Sequence, residues 1–288
     1  MSKKVLVTGA TGNVGQSVVK YLQGNKKVSP VLAVRNEQRA LDIFTDAIDL
    51  DFIEFDFEDC QSYSLAFEGA DLVFLLRPPH ISDVQRYFKP LIDEMVTQHV
   101  AGVVFLSVQG AETSRFIPHH KIEKLIVASG IPYVFVRPGY FMQNLTTTLS
   151  ADVLVEQEIR LPAGEATFNW VDVDNIGEAT AELIGNFEKY KSRAYEITGY
   201  ENLSFGEATK IIRDNSQVQV AYQSINPIKF FFEKRKAGMK TPFILVMIML
   251  HFLPRFQKAP QISIFFEQLT GKKPTKLSEF VQRESVFQ

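Results

Sequence analysis

Apolar positions in the first half of the chain fall into short runs separated by stretches with helical periodicity. Val5-Leu-Val7 is the first run and ends in Thr8-Gly9. A helical pattern opens at Asn13, with Val14, Val18, Val19 and Leu22 on one face. Further runs are Val31–Val34, Phe52–Phe55, Asp71–Leu76, Val103–Leu106 and Tyr133–Val136, the fourth strand stopped by Pro78-Pro79 and the sixth by Pro138-Gly139. Helical segments are predicted near 37–46, 61–69, 83–99 and 115–129. Runs apolar throughout suit strands covered on both faces, and strands alternating with helices imply a parallel sheet. Right-handed crossovers then give a doubly wound, Rossmann-type α/β fold.

Beyond about residue 140 the rhythm becomes irregular. One more helix is predicted near 174–188 and a strand at Tyr195–Thr198. From Ser204 the chain reads as mainly helical, with one strand near 218–223. This divides the chain into a nucleotide-binding domain over 1–150 and a remainder over 151–288. The remainder holds the last αβ unit and a smaller, mainly helical C-terminal lobe, expected to pack against the carboxyl edge of the sheet. The most apolar stretch, Phe243–Leu253, is too short to span a bilayer. It reads as a buried or partner-covered helix. The alternative is a membrane-surface contact, since Phe230, Phe231 and Phe232 lie just upstream with Lys234, Arg235 and Lys236.

Composition narrows the picture modestly. The chain has 288 residues, a size that allows a substantial core. Its net charge of −2 gives no reason to expect a nucleic-acid partner. The single cysteine, Cys60, excludes an internal disulfide, and no metal is assigned. The N-terminus enters a strand directly, without a secretory apolar region, and a cytoplasmic setting is expected.

The strongest motif is Thr8-Gly-Ala-Thr-Gly-Asn-Val-Gly15, at the first strand-to-helix turn. Gly9 suits the tight turn, Gly12 lets the backbone approach a pyrophosphate, and Gly15 lets the helix pack on the sheet. Thr11, Asn13 and Val14 complete the loop, and the helix start offers N–H groups and a partial positive charge to an anion. A dinucleotide is therefore expected. The second strand ends in Arg35-Asn36, where an NAD site usually has an acid. A guanidinium there suits a 2′-phosphate, so NADP(H) is preferred over NAD(H). Arg39 either assists or lies on the outer face of the following helix. The crevice of such a fold lies beyond the strand ends at the switch in strand order. That places Arg77, Pro78, Ser107, Gln109 and Pro138 beside it. Tyr140, Phe141 and Met142 follow the sixth strand, as walls of a substrate pocket or as a core turn.

With this loop in view, the chain resembles the atypical short-chain dehydrogenases/reductases of the NmrA-like group. TGATGNVG and the VRN at 34–36 are similar to their loop and second-strand end. The segments His119–Tyr133, Val136–Asn144, Phe168–Asp174, Ile197–Gly199 and Thr270–Thr275 resemble later landmarks of the group. The likeness runs from residue 4 to about 282 and is weakest near 225–260. It implies an NADP(H)-binding Rossmann domain with a small C-terminal lobe. The group includes quinone and dye reductases as well as redox-sensing regulators. The resemblance also places Asp56-Phe57 at the adenine side and His119 where the group commonly has His or Lys, facing the nicotinamide.

Ordinary short-chain reductases use a Tyr-x-x-x-Lys pair, and none of the nine tyrosines here has Lys four residues later. His119, with a reference pKa near neutrality, has three readings: a proton donor, a ribose hydrogen-bonding group, or a helix-surface residue. Two functions follow from the sequence. One is NADPH-dependent reduction of a small hydrophobic quinone, carbonyl or conjugated acceptor. The other is a non-catalytic NADP(H)-sensing regulator that engages a protein partner through the C-terminal lobe.

Overall fold

The computed structural model describes residues 2–45, 50–115 and 117–288. Its elements, in chain order, begin with β1 (Lys3–Thr8), α1 (Asn13–Leu22), β2 (Val28–Val34), α2 (Glu37–Ile43), β3 (Asp51–Glu54), α3 (Gln61–Phe67) and β4 (Leu72–Leu76). They continue through α4 (Val84–Thr97), β5 (Gly102–Leu106), α5 (Pro118–Ser129), β6 (Tyr133–Pro138), β7 (Tyr140–Phe141), α6 (Ser150–Leu154), β8 (Glu158–Leu161), β9 (Thr167–Val171) and α7 (Val173–Gly185). The rest are α8 (Phe187–Tyr190), β10 (Arg193–Ile197), β11 (Asn202–Ser204), α9 (Phe205–Asn215), β12 (Ala221–Ser224), α10 (Pro227–Lys236), α11 (Thr241–Phe252), α12 (Phe265–Thr270) and α13 (Leu277–Arg283). The predicted helix end at Asp46 and the position of Phe116 fall outside the described residues.

These elements form two compact units whose segments interleave along the chain. The first comprises residues 1–138, 173–197 and 268–271. Its sheet has seven strands in the order β10-β6-β5-β4-β1-β2-β3, all parallel. This is the doubly wound Rossmann arrangement, with the switch in strand order between β1 and β4. Alternate strand residues face opposite sides. Leu6, Val31, Ala33, Val73 and Phe105 belong to a core shared with Phe67, Phe88 and Ile122 of α3, α4 and α5. On α1 the apolar stripe foreseen in the sequence is buried at Val14, Val18, Val19 and Leu22. This helix packs on α7 so closely that a Cβ at Gly177 would lie 2.0 Å from the Ser17 hydroxyl oxygen.

The second unit comprises residues 139–172, 198–267 and 272–288. It is helical with small sheets: β11-β9-β7 and the pair β12-β8. Of these strands the sequence pattern gave only the one near 218–223, found at Ala221–Ser224. The unforeseen strands have two to five residues, too few for a period to register. The β8 and β12 strands, moreover, pair residues some sixty positions apart, Glu158 with Ala221 for example. The unit has its own core, in which Tyr140, Phe168, Trp170 and Phe205 meet edge to face or tilted.

Candidate functional site

The register of the parallel sheet sets the carboxyl ends of six strands in a row. Pairing of Leu106 with Val136, Leu76 with Leu106, Val7 with Phe74, Thr8 with Ala33 and Val34 with Glu54 fixes their levels. The residues that end or follow these strands therefore line one edge: Pro138, Ser107, Arg77, Gly9, Arg35 and Asp56. Thr8 ties the two central strands at the switch point. Its buried hydroxyl donates to the Phe74 carbonyl at 2.9 Å and accepts from the Leu76 N–H at 3.1 Å.

The glycine loop has the form its spacing suggested. Gly9 has a positive φ of 62°, and a Cβ there would run into the Leu76 side chain at 2.6 Å. A Cβ at Gly15 would lie 2.1 Å from the Gly9 carbonyl oxygen, so α1 reaches the sheet only through glycine. Gly12 differs. It is exposed, and a Cβ there would meet only the Gly9 oxygen, at 3.4 Å. The N-terminus of α1 carries no side-chain cap and no acid in its first turn. Helix-start N–H groups without a cap, reached across a loop with no side chain at its tip, suit a pyrophosphate. Thr11 is held in place, its carbonyl accepting from Gln16 Nε2 at 2.8 Å. Val14 is buried, which leaves only its backbone at the turn, whereas Asn13 is exposed.

The other residues expected beside a nucleotide divide by how far their side chains are already committed. Arg35 is exposed and makes no ion pair or hydrogen bond among the described residues. Asn36 is the N-cap of α2, its side chain accepting from the Arg39 N–H at 2.8 Å. Asp56 accepts from the Glu58 N–H at 3.0 Å, which closes a tight turn. Phe57 is a core residue, 7% exposed and packed against Phe55 and Phe88. A contact from Phe57 to a ligand is thus confined to its backbone.

Beyond β4, Arg77 folds back on its own loop. Its guanidinium donates to the carbonyls of Pro78, Pro79 and Ile81 at 3.0, 3.2 and 2.7 Å. Its Nε reaches His119 Nε2 at 3.5 Å. Arginine only donates, so this nitrogen of His119 is the acceptor and Nδ1 carries the proton. Burial, and secondarily the Arg77 charge, push the His119 pKa down to about 3. Burial also lowers Arg77, to about 10. The reference value near neutrality therefore does not hold at this position, and the ring is neutral at physiological pH. The physical reason is that an enclosed imidazolium would face a guanidinium.

Ser107 and Gln109 belong to a network that the sequence did not reveal. The buried Ser107 hydroxyl donates to Glu123 at 2.6 Å, and Arg137 grips the same carboxylate through Nε and a terminal nitrogen at 3.0 and 2.7 Å. Arg137 also pairs with Glu112 at 2.7 Å. Gln109 donates to Glu196 at 2.9 Å and takes the Pro138 carbonyl through its backbone at 3.0 Å. A carboxylate at helix position 123, sharing its turn spacing with His119, was the available signal.

The aromatic pair after β6 falls in the second unit. Tyr140 is 9% exposed and its hydroxyl meets His251 Nε2 at 3.0 Å inside the aromatic core. Of the two readings left open, Tyr140 is a core residue. Met142 is buried, and Phe141 is half-buried.

A parallel sheet in this order, with an uncapped glycine turn at its switch point, defines an α/β nucleotide-binding protein of the Rossmann class. The chain belongs to the NmrA-like family, whose model matches residues 1–281. It is similar to prestalk A differentiation protein A of Dictyostelium discoideum, with 28% identity over 278 residues, 96% of this chain and 91% of that one. It is also similar to the NAD(P)H azoreductase of Xenophilus azovorans, with 27% identity over 227 residues, 77% of each chain. A solved structure with the same fold is the triphenylmethane reductase of Citrobacter sp. complexed with NADP(H). Its TM-score is 0.81 at 21% identity, across 98% of this chain and 99% of that one.

Proposed function

We propose that this chain is an NADPH-dependent oxidoreductase that reduces a hydrophobic quinone, carbonyl or conjugated acceptor. The observation that carries the reading is the glycine turn, open at Gly12 and followed by a helix start without a cap, at the strand switch. The azoreductase and the triphenylmethane reductase support the choice of chemistry. A bound nicotinamide dinucleotide supplies hydride. The chain's part is to hold it and exclude water. Gly9, Thr11, Gly12, Asn13, Val14 and Gly15 take the pyrophosphate through backbone groups. Arg35, with no partner to give up, takes the 2′-phosphate, and Asp56 and the Phe57 backbone border the adenine. Arg77, Pro78, Ser107 and Pro138 shape the nicotinamide side. His119, neutral and with Nδ1–H as its donor, orients rather than protonates, and the acceptor's proton comes from solvent.

Calorimetry with NADPH and NADH tests the cofactor choice. Arg35→Asp is expected to cost about 1.5–3 kcal/mol of NADPH binding, the usual worth of a charge-assisted hydrogen bond. Equal affinity for the two nucleotides in the unsubstituted protein removes the preference. NADPH oxidation against quinones, dyes and aldehydes tests the reaction. The regulator reading has two specific supports: burial, helped by the Arg77 charge, keeps His119 neutral, and no Tyr-x-x-x-Lys pair is present. It replaces the reductase reading if no acceptor is turned over while NADPH still alters protease sensitivity.

A further inference from the structure

The core of the second unit covers its helices unequally. Helix α11 buries Ile244, Met247 and His251, a single stripe at spacings of three and four. At about 100° per residue, the opposite side carries Pro242, Leu245, Val246, Met249 and Leu250. Apart from the weakly accepting Met249 thioether, none of these side chains can form a hydrogen bond. Leu245 is 54% exposed and Leu250 44%. A helix apolar all round is ordinarily covered all round, and this one is covered on one side.

Helix α10 repeats the arrangement with charge added. It buries Phe230 and turns Ile228 and Phe232, each 66% exposed, the other way. Exposed Lys229, Arg235 and Lys236 flank that pair. The two helices are neighbours, and Phe230, Ile244 and Met247 enter the same core, so their outer faces lie side by side. Exposed Lys240 joins them, and Arg255, Phe256 and Lys258 extend the surface past α11. From Asn226 to Lys258 there are seven Lys and Arg residues and one Glu, in a chain of net charge −2; Lys234 is paired with Asp152 at 2.9 Å, which leaves six for the surface. The acid, Glu233, is held by Arg160 at 3.0 Å.

We propose that this surface, from α10 to Lys258, docks in the plane of an anionic lipid bilayer. An apolar face fringed by basic residues gains from both acyl-chain burial and lipid charge. A second copy of the chain fits poorly, because two like faces of high positive charge would oppose each other. A protein partner normally exchanges a hydrogen bond for every 100–200 Å² or so, and the outer face of α11 offers no side chain that donates one and only the weak Met249 thioether as an acceptor. Twelve residues of α11 are too few to cross, and no helix among the described residues is long and apolar enough to do so.

The test is flotation of the full chain with phosphatidylcholine vesicles, with and without phosphatidylserine. Binding to the anionic vesicles, weakened by salt, is expected. The triple substitution Lys236→Glu, Lys240→Glu and Lys258→Glu should weaken it at least about 100-fold, at roughly fivefold per charge. Leu245→Glu should also weaken it, with circular dichroism and thermal unfolding of each variant showing that the fold persists. The proposal is overturned by absence of binding, by equal binding to neutral vesicles, or by variants that bind as the parent does. It is equally overturned if the same substitutions dissolve a dimer formed without lipid.

Discussion

His119 in the first unit and His251 in the second are both kept neutral, yet they do different work. Burial lowers His251 to about 4, against the opposing hydrogen bond to the Met247 carbonyl. Both of its nitrogens are used, Nδ1 on Met247 at 2.7 Å and Nε2 on the Tyr140 hydroxyl at 3.0 Å. Tyr140, Phe168 and Phe205 surround it. His119 uses one nitrogen, toward a cation, at the carboxyl edge of a sheet. A depressed histidine pKa therefore does not by itself mark chemistry. What separates the two is the partner set: His251 is saturated within a core, while His119 keeps a donor with no bond among the described residues.

The largest test of this contrast is His251→Ala. It removes a buried ring and the hydrogen bond from it to the Tyr140 hydroxyl, at an expected cost of about 4 kcal/mol in urea unfolding. NADPH affinity should be unchanged; a loss under about 1 kcal/mol would show that the ring is not part of the packing. Next is the acid response. The folded protein binds fewer protons at His251 than the unfolded chain does between about pH 6.5 and 4, so stability is complete above that window and falls as pH drops through it. The contribution is on the order of 3 kcal/mol, and the slope should shrink in His251→Ala.

At the edge of the sheet the effects should appear in binding rather than folding. Gly12→Val should weaken NADPH about 100-fold, roughly 2.7 kcal/mol, with an unchanged circular dichroism spectrum, because the space before Gly12 is open. Gly15→Ala should instead impair the fold, since its Cβ has the Gly9 carbonyl in the way. The smallest effect belongs to His119→Ala. With a neutral ring, kcat/KM should fall about threefold, and the pH–rate profile should keep its limbs near neutrality. A loss in the range of about 10²–10⁴ would instead restore proton transfer to this residue.

The first unit was legible because its signals are local. A run such as Val103–Leu106 is apolar on both faces, and Thr8–Gly15 carries its glycines where the backbone requires them. The ends were shifted by a few residues: the helix predicted from 115 begins at Pro118, which sits in its first turn. The second unit was legible as helical, but of its strands only the one at Ala221–Ser224 was. Their partners are far off in sequence, and Tyr140 could be read as a pocket wall or as a core turn because its mate, His251, lies 111 positions away. The site was half legible for the same reason. Sequence position identifies which residues stand at the strand ends. It does not reveal that Asn36 is spent on a helix cap, Ser107 on Glu123, or Arg77 on three carbonyls.

That last commitment has a kinetic meaning. A loop after β4 laced by four guanidinium bonds is already in shape before any ligand arrives. A nucleotide bound as proposed would meet a rim already held in place, and the encounter is expected to carry little ordering cost for this segment. Association should be a single fast phase whose rate scales with nucleotide concentration, without a plateau from a slow closing step. Loosening the lacing with Arg77→Gln should introduce such a plateau, so that the rim's rigidity is read as time rather than as affinity.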